Sequence, residues 1–334
     1  LIRKDWNLIV KRLRNNGVVP NLITNGWAVT EKVLETAKES GIGTLAVSLD
    51  GLESYHDYMR KPGAYRRGMN ALRMMRDMDI SAGVITTVSK KNLPELPAFK
   101  DTLSEVGVRF WQLQIGLPMG NLKENSELIM LPEDVDAVID FTYDTMLEGK
   151  INLYPADCLG YYNIKELKVR QSAHKTPYYP TWKGCNAGKR SLGILHDGSI
   201  LGCTSIRDKQ FIEGSVRERS LRDIWEDENS FTWNRNARKS KLEGLCKTCQ
   251  YGDDCLGGCP NTRLTMNKRI DSENEYCSYN IAMKKTNAKI AAMSDFGKLS
   301  ELGLGYAHKG EYQLSAMVLN RALELQPDNV ELLS

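Results

Sequence analysis

The residues in this sequence best suited to chemistry are its cysteines, because most of them lie in one stretch. Clustered cysteine thiolates bind zinc ions or iron–sulfur clusters, and four protein ligands complete either kind of site. Seven cysteines are too many for one four-ligand site and one too few for two. The eighth, Cys158, lies outside the stretch. The seven are Cys185, Cys203, Cys246, Cys249, Cys255, Cys259 and Cys277.

The segment from Cys246 to Cys259 is followed by Pro260 and is similar to ferredoxin runs, whose last cysteine serves a second cluster. Gly257 and Gly258 let the backbone approach a bulky cluster closely. Spacing therefore favours iron–sulfur clusters over the alternative of one or two structural zinc ribbons. A disulfide set is disfavoured because no secretory leader is visible.

The elements that must position other reactive groups come from residues 1–150, where strand-like and helical patterns alternate. Such alternation predicts parallel β-α-β units, in which reactive groups lie at the C-terminal ends of strands. The strand ends expected to share one edge are Thr24-Asn25-Gly26, Ser48-Leu49-Asp50-Gly51, Thr86-Thr87 and Gln114. Strands are predicted at 18–24, 44–49, 81–88 and 109–115, and helices at 7–14, 30–40 (capped by Thr30), 53–60, 65–78, 96–105 and 132–147.

Residues 151–184 are mixed, with aromatic residues and proline, and are interpreted as a connector. Beyond them, the turn dipeptide Asp197-Gly198 predicts a hairpin of strands 191–196 and 199–203. A short helix is predicted at 221–227. The basic stretch 235–241 could contact a partner, although a solvated helix end is the simpler interpretation.

Residues 296–329 match the tetratricopeptide pattern once, at Leu302-Gly303, Tyr306, Gly310, Ala322 and Pro327. One such repeat cannot bury its own apolar face, and about three are needed for stability. We therefore expect further repeats beyond Ser334. The alternative is a helix pair that packs on the preceding domain.

Composition and charge exclude several classes of protein. Hydrophobic residues make up 41% and charged residues 26% of the 334 residues, which is typical of globular chains. The net charge of +3 is too balanced for nucleic acid or a membrane surface as the main partner. No apolar run approaches the ~18 residues that span a bilayer, so we expect a cytoplasmic protein. The chain starts at Leu1 and stops within a helical pattern, so we expect a fragment truncated at both ends.

The whole cysteine array resembles the SPASM domain of radical S-adenosylmethionine (SAM) enzymes. Every spacing fits C-x(9–15)-G-x4-C, a gap, then C-x2-C-x5-C-x3-C-x17-C, and the segments LITNG (22–26), VSLDG (47–51) and HDYMR (56–60) resemble strand ends of the family's barrel. The resemblance implies an α/β fold: a partial (βα)6 radical SAM barrel lacking its first strands, a small Cys-rich SPASM domain and a C-terminal α-helical tetratricopeptide repeat. The implied domains are 1–150 (barrel), 151–184 (connector), 185–295 (SPASM) and 296–334 (repeat).

The resemblance also implies two auxiliary [4Fe-4S] clusters. The fourth ligand of the first cluster stays open: Cys158 is possible, and the alternative is an open iron site that could bind substrate. The implied ligands are Cys246, Cys249, Cys255 and Cys277 for the second cluster and Cys185, Cys203 and Cys259 for the first.

For SAM itself, the resemblance implies contacts from Ser48 and Arg60 to the methionyl and ribose parts. A hydroxyl can bond the ribose or the amino-acid end, and an arginine pairs with a carboxylate. Asn25 is expected to line the same cavity. Asp50 either lines it or holds its turn through local backbone bonds. His56 is interpreted as a helix-start residue rather than a metal ligand.

The motif C-x3-C-x2-C, which ligates the SAM-cleaving cluster in this family, does not occur in the 334 residues. The opening LIRKDW resembles the segment that follows the family's G-G-E-P motif, so we expect the first strands to be missing. A degenerate chain is the alternative. By itself this chain is expected not to cleave SAM.

The function implied is that of a maturase, which modifies a peptide or protein side chain through hydrogen abstraction by a 5′-deoxyadenosyl radical. Expected cofactors are SAM and [4Fe-4S] clusters, two here and a third in the missing part, and expected partners are a peptide or protein substrate and flavodoxin or ferredoxin as electron donor. The tetratricopeptide segment favours a peptide partner. Alternatives are a small-molecule enzyme of haem or quinone-cofactor maturation, a non-catalytic iron–sulfur adaptor, and a sulfatase-maturing enzyme, which is disfavoured because Thr204 replaces that subfamily's catalytic Asp. No residue is assigned a catalytic role.

Overall fold

The computed structural model of this protein describes residues 1–156, 158–177 and 183–329. The chain divides into two compact units, Leu1–Thr181 and Trp182–Ser334. The first unit confirms the expected α/β fold with a parallel sheet. Its strands are β1 (Asn21–Thr24), β2 (Thr44–Ser48), β3 (Ala82–Val88), β4 (Phe110–Ile115) and β5 (Asn152–Pro155). Its helices are α1 (Trp6–Asn15), α2 (Glu31–Glu39), α3 (Glu53–Met59), α4 (Ala64–Asp77), α5 (Leu96–Val106), α6 (Val135–Glu148) and α7 (Ile164–His174).

The five strands run parallel and neighbour one another in chain order. Right-handed crossovers in such a sheet place the connecting helices on one face. Val47 meets α4 at Gly68 on that face, and Trp111 packs edge-to-face against Phe99 of α5. Alternate positions point to the opposite face, and several of them are polar and half-buried. The polar positions include Ser48, Thr87, Gln112, Gln114 and Tyr154.

The predicted connector at 151–184 is wrong in part. Asn152–Pro155 forms β5 and pairs in parallel with β4, and Ile164–His174 forms a helix. The unit boundary falls at 181/182 instead. A four-residue strand that ends on proline carries too little periodicity to be recognised from sequence. The predicted cap of α2 is confirmed, because the Thr30 hydroxyl accepts the Val33 N–H.

The second unit contains a small antiparallel sheet followed by short and then longer helices. The predicted hairpin is confirmed at its turn, where Gly198 adopts a φ of 95°. The strands are β6 (Gly193–Ile194), β7 (Ser199–Leu201) and β8 (Ile212–Ser215). The helices are α8 (Leu221–Glu226), α9 (Thr232–Arg235), α10 (Gly244–Thr248), α11 (Gly252–Cys255), α12 (Pro260–Asn267), α13 (Ser278–Ala291), α14 (Phe296–His308) and α15 (Tyr312–Leu325).

The predicted tetratricopeptide segment forms the helix pair α14 and α15. The two helices approach closely at Gly303, where an added Cβ would lie 2.3 Å from the Leu319 side chain. Their apolar face does not stand alone, because Leu299 and Val318 share a core with Ile290 of α13. This packing supports the alternative in which the pair rests on the preceding helix. Whether the pair is a tetratricopeptide repeat stays a prediction. In the part of the chain described, no helix is long and apolar enough to cross a bilayer.

Candidate cofactor-binding sites

The first candidate site lies where β2 ends, and Asp50 is its centre. Asp50 is only 2% exposed, yet it carries a carboxylate with two well-defined partners. One oxygen accepts the Arg60 Nε–H at 2.7 Å, and the other accepts the backbone N–H of Thr87 at 3.1 Å. The carboxylate therefore joins the segment after β2 to the end of β3. The expectation that strand ends converge is confirmed at these residues.

Arg60 remains partly open although its partner is buried, since its side chain is 42% exposed. Burial opposes its charged form, but the hydrogen bond and charge of Asp50 outweigh burial and raise the pKa of Arg60. The two terminal guanidinium nitrogens of Arg60 donate no hydrogen bond to any described residue. Arg60 is thus a fixed cation with donors available to an anion.

His56 is buried in the middle of α3 and does not start the helix. Its Nδ1 accepts the backbone N–H of Asp50 at 3.0 Å, which requires an unprotonated nitrogen at that position. Burial lowers the pKa of His56, while the charge of Asp50 opposes that effect and Arg60 adds to it. The interpretation as a helix-start residue is therefore corrected: the neutral imidazole holds the backbone of Asp50.

Asn92 is a site residue that sequence reasoning missed. It is fully buried, and its Nδ2 donates to the carbonyls of Asp50 and Thr87, at 2.5 and 3.0 Å. Its Oδ1 accepts the Ser89 N–H at 2.7 Å. A polar Ser-x2-Asn segment directly after a strand was the available signal. Through these hydrogen bonds, Asn92 links the segment after β2 to the end of β3.

Ser48 and Asn25 occupy the same edge of the sheet but join no network. Ser48 closes β2 on the half-buried polar face, and no described residue bonds its hydroxyl. Asn25 follows β1 and is exposed, and its Oδ1 accepts the Trp27 N–H at 3.1 Å. Asn25 thus shapes its own turn. The structure gathers Asp50, Arg60 and His56, and leaves Asn25 apart from that group.

The second candidate site is a group of four buried thiols in the second unit. Burial raises the pKa of Cys255 to about 12, and the nearby Cys246 and Cys249 add to it. Burial also raises the pKa of Cys277 well above its usual value, with contributions from Cys255, Cys246 and Cys249. The charges of these four thiols therefore influence one another within the second unit.

Cys259 is influenced by Cys203. Burial raises the pKa of the Cys259 thiol, and among the other cysteines it is Cys203 that adds to the effect. Cys185 is half-buried, accepts the Ala187 N–H at 3.4 Å and is held through its carbonyl by Asn234 at 2.9 Å. The assignment of these cysteines to two clusters stays a prediction. Among described residues, no three Cys, His, Asp or Glu side chains are gathered closely enough for a single metal ion.

N–H groups surround the sulfur atoms of the four-thiol group. The Asn274 backbone N–H and the Asn280 Nδ2 both approach Cys246 Sγ at 3.5 Å, and backbone N–H groups of Gly257 and Gly258 lower the pKa of Cys255 against burial. Gly257 has a φ of 78° and abuts the Arg263 guanidinium, where a Cβ would lie 3.0 Å away. Buried thiols faced by N–H donors suit iron–sulfur ligation, in which such bonds tune the cluster.

Cys158 lies in the first unit. Its Sγ accepts the Ile115 N–H at 3.4 Å, at the end of β4. Cys158 is half-buried. Its role as fourth ligand stays a prediction.

Comparisons with known proteins give one family match and several relatives. The model of the SPASM iron–sulfur cluster-binding domain matches residues 185–250. An AdoMet-dependent heme synthase of Methanosarcina barkeri is 27% identical over 286 residues, covering 84% of this chain and 80% of that protein. A Fe-coproporphyrin III synthase of the same organism is 25% identical over 276 residues, covering 77% of this chain and 67% of that protein.

A solved structure shares the fold. The crystal structure of Streptococcus suis SuiB matches with a TM-score of 0.62 at 15% identity, over 82% of this chain and 64% of SuiB. SuiB is also known bound to S-adenosylmethionine and to the precursor peptide SuiA. At this identity the likeness shows the fold alone. This chain is therefore similar to the SPASM iron–sulfur cluster-binding domain over residues 185–250 and to an AdoMet-dependent heme synthase over most of its length.

Proposed function

We propose that this protein is a radical SAM enzyme that acts on a haem-type tetrapyrrole, a small molecule, rather than on a peptide. The observation that carries the proposal is the similarity to an AdoMet-dependent heme synthase over 84% of the chain. A Fe-coproporphyrin III synthase among the relatives belongs to the same substrate class. The likeness to the peptide-bound SuiB concerns the fold only, and the helix pair that suggested a peptide partner packs on α13.

Iron–sulfur clusters and SAM are the cofactors that the comparisons support. When bound, they supply the radical and the electron transfer that amino-acid side chains cannot provide. The buried four-thiol group of Cys246, Cys249, Cys255 and Cys277 fits one auxiliary cluster by its donor chemistry. The set of Cys185, Cys203 and Cys259 fits the other.

The protein's own contribution at β2 is to hold a cation and a hydroxyl at one strand end. Arg60, fixed by the buried Asp50, would pair with the SAM carboxylate, and Ser48 would bond a hydroxyl or the amino-acid end. Because Asp50 is already occupied by Arg60 and Thr87, its role is to position Arg60. Its bond to Thr87 reaches another strand and is not the local turn bond considered from the sequence.

The substrate class is tested by titrating the anaerobically reconstituted chain with iron-coproporphyrin and following the absorption of the porphyrin. We expect saturable binding with a dissociation constant in the micromolar range, about −8 kcal/mol. The absence of saturable binding would refute the tetrapyrrole assignment and return the peptide interpretation to first place.

The SAM site is tested by calorimetric titration of SAM into wild type and Asp50→Asn. The variant keeps an acceptor for the Thr87 N–H but loses the charge that fixes Arg60, so we expect SAM to bind about tenfold more weakly, ~1.4 kcal/mol. Glu53→Gln is the matched control, since it breaks the exposed Arg66 pair, which is worth little. Equal affinities for wild type and Asp50→Asn would contradict the role given to Arg60.

A further inference from the structure

A pocket in the second unit belongs to neither site described above. Its volume is about 380 Å³, within the range of small-molecule sites. Segments between Gln210 and Asp271 line it, including α9 and α12. Pro260 also lines it, so the pocket lies directly beside Cys259. It therefore adjoins one of the two cysteine sets.

Three cations line this pocket without a carboxylate partner among the described residues. Arg238 donates only to the Ala237 carbonyl and Lys268 only to the Thr265 carbonyl, and Lys241 has no ion pair. The acid of the pocket, Asp271, is already engaged by Arg269. The lining thus carries an uncompensated positive charge, and an anion is the ligand that would neutralise it.

An apolar wall completes the pocket. The Phe211 and Trp233 rings meet edge-to-face at 5.5 Å, and the Trp233 N–H donates to Glu213 at 3.0 Å. That bond fixes the indole, and Leu242 adds a buried aliphatic surface. Aromatic and aliphatic surface beside three unpaired cations suits a flat, apolar molecule that carries carboxylates at its edge.

The basic stretch at 235–241 supplies part of the lining of this pocket. Its first member, Arg235, is half-buried and donates to the carbonyls of Trp225 at 2.7 Å and Gly188 at 2.8 Å. This anchoring fixes the start of the segment that supplies Arg238 and Lys241 to the pocket. The simpler interpretation, a solvated helix end, is therefore incomplete.

We propose that this pocket binds the carboxylate edge of the tetrapyrrole, next to the Cys203–Cys259 set. The inference rests on the proposed function for the identity of the ligand. The pocket accommodates one edge of such a molecule, and the three cations pair with its carboxylates.

The test is a binding titration of coproporphyrin III, which carries four carboxylates and no metal, followed by porphyrin fluorescence anisotropy. The variant replaces Arg238, Lys241 and Lys268 by glutamine. The control replaces three exposed cations of the same unit that lie outside the pocket, Arg222, Lys289 and Lys309, by glutamine, with an equal change in net charge. We expect the pocket variant to bind at least tenfold more weakly, the control to bind as wild type, and inorganic pyrophosphate not to compete.

Other outcomes separate this inference from the proposed function. Equal binding by wild type and the pocket variant would overturn the pocket while leaving a tetrapyrrole site elsewhere. Pyrophosphate that competes as strongly as the porphyrin would overturn the ligand class, because it would reveal a general anion site. If wild type binds no porphyrin, with or without iron, both proposals fail. Equal circular dichroism of the two variants verifies that the comparison concerns folded protein.

Discussion

At the scale of single residues, the strand-end site depends on which groups remain charged in a buried setting. The Asp50 carboxylate accepts one guanidinium N–H and one backbone N–H, whereas His56 is kept neutral because its Nδ1 accepts a backbone N–H. An exposed pair such as Glu53 with Arg66 has a similar distance but is screened by water. Burial rather than distance therefore distinguishes the functional pair from the surface pair.

The lowered pKa of His56 predicts a dependence of stability on pH. The unfolded chain takes up a proton near pH 6.5, while folded His56 takes it up only at lower pH. Between these two values the unfolded state binds more protons, so stability falls as the pH is lowered through about 6.5. The slope contributed by His56 reaches at most about 1.4 kcal/mol per pH unit.

The measurement is the free energy of unfolding in urea between pH 5 and 7.5. His56→Asn keeps an acceptor for the Asp50 N–H and cannot titrate, so its slope should be shallower than that of wild type. The exposed His174→Asn, in the same unit, serves as the control. A His56→Asn slope equal to that of wild type would refute the prediction.

At the scale of elements, the ends of β2 and β3 are joined by more than ladder hydrogen bonds. Asn92 reaches both strand ends, and the Thr86 hydroxyl donates to the Leu49 carbonyl while accepting the Trp111 Nε1–H at 2.8 Å. These buried bonds explain how a short parallel sheet with one half-buried face keeps its functional edge fixed.

Asn92→Asp tests this tie. The substituted carboxylate would face the Asp50 and Thr87 carbonyls without a proton to donate, so we expect a loss of roughly 2–4 kcal/mol in the free energy of unfolding. Hydrogen exchange at the amide of Thr87 should accelerate beyond the global effect. The exposed Asn70→Asp on α4 should change stability by less than about 0.5 kcal/mol. Unchanged exchange at Thr87 would argue against the tie.

At the scale of the whole molecule, seven of the eight cysteines lie in one compact unit, and we propose that they form two sets of cluster ligands. The helix pair α14–α15 belongs to this unit as well, since Gln313 accepts the Gln250 N–H at 2.9 Å, one residue after Cys249. Cluster formation and packing of the helix pair are therefore expected to support each other.

The division into sets predicts how iron is lost. After anaerobic reconstitution, wild type should contain about eight iron atoms, and Cys277→Ser or Cys203→Ser should each lose about four. Cys249→Ser combined with Cys277→Ser should lose no more than Cys277→Ser, whereas Cys203→Ser combined with Cys277→Ser should lose nearly all. The measurement is the amount of iron and acid-labile sulfide per chain in wild type and in each variant. Zinc without sulfide would mean structural zinc sites instead.

The sequence by itself determined what depends on spacing along the chain. Local patterns can be recognised without knowledge of tertiary contacts. They include the cysteine intervals, the alternation of strands and helices, the Thr30 cap and the turn at Asp197-Gly198. The tertiary structure decided which groups meet. It paired Asp50 with Arg60 and Thr87 and hydrogen-bonded Asn92 to the Asp50 carbonyl. It also added β5 to the sheet, packed the helix pair against α13 and placed part of the basic stretch in a pocket lining. Each of these depends on residues that are distant in sequence and are brought together by packing, and their burial is a property of the fold.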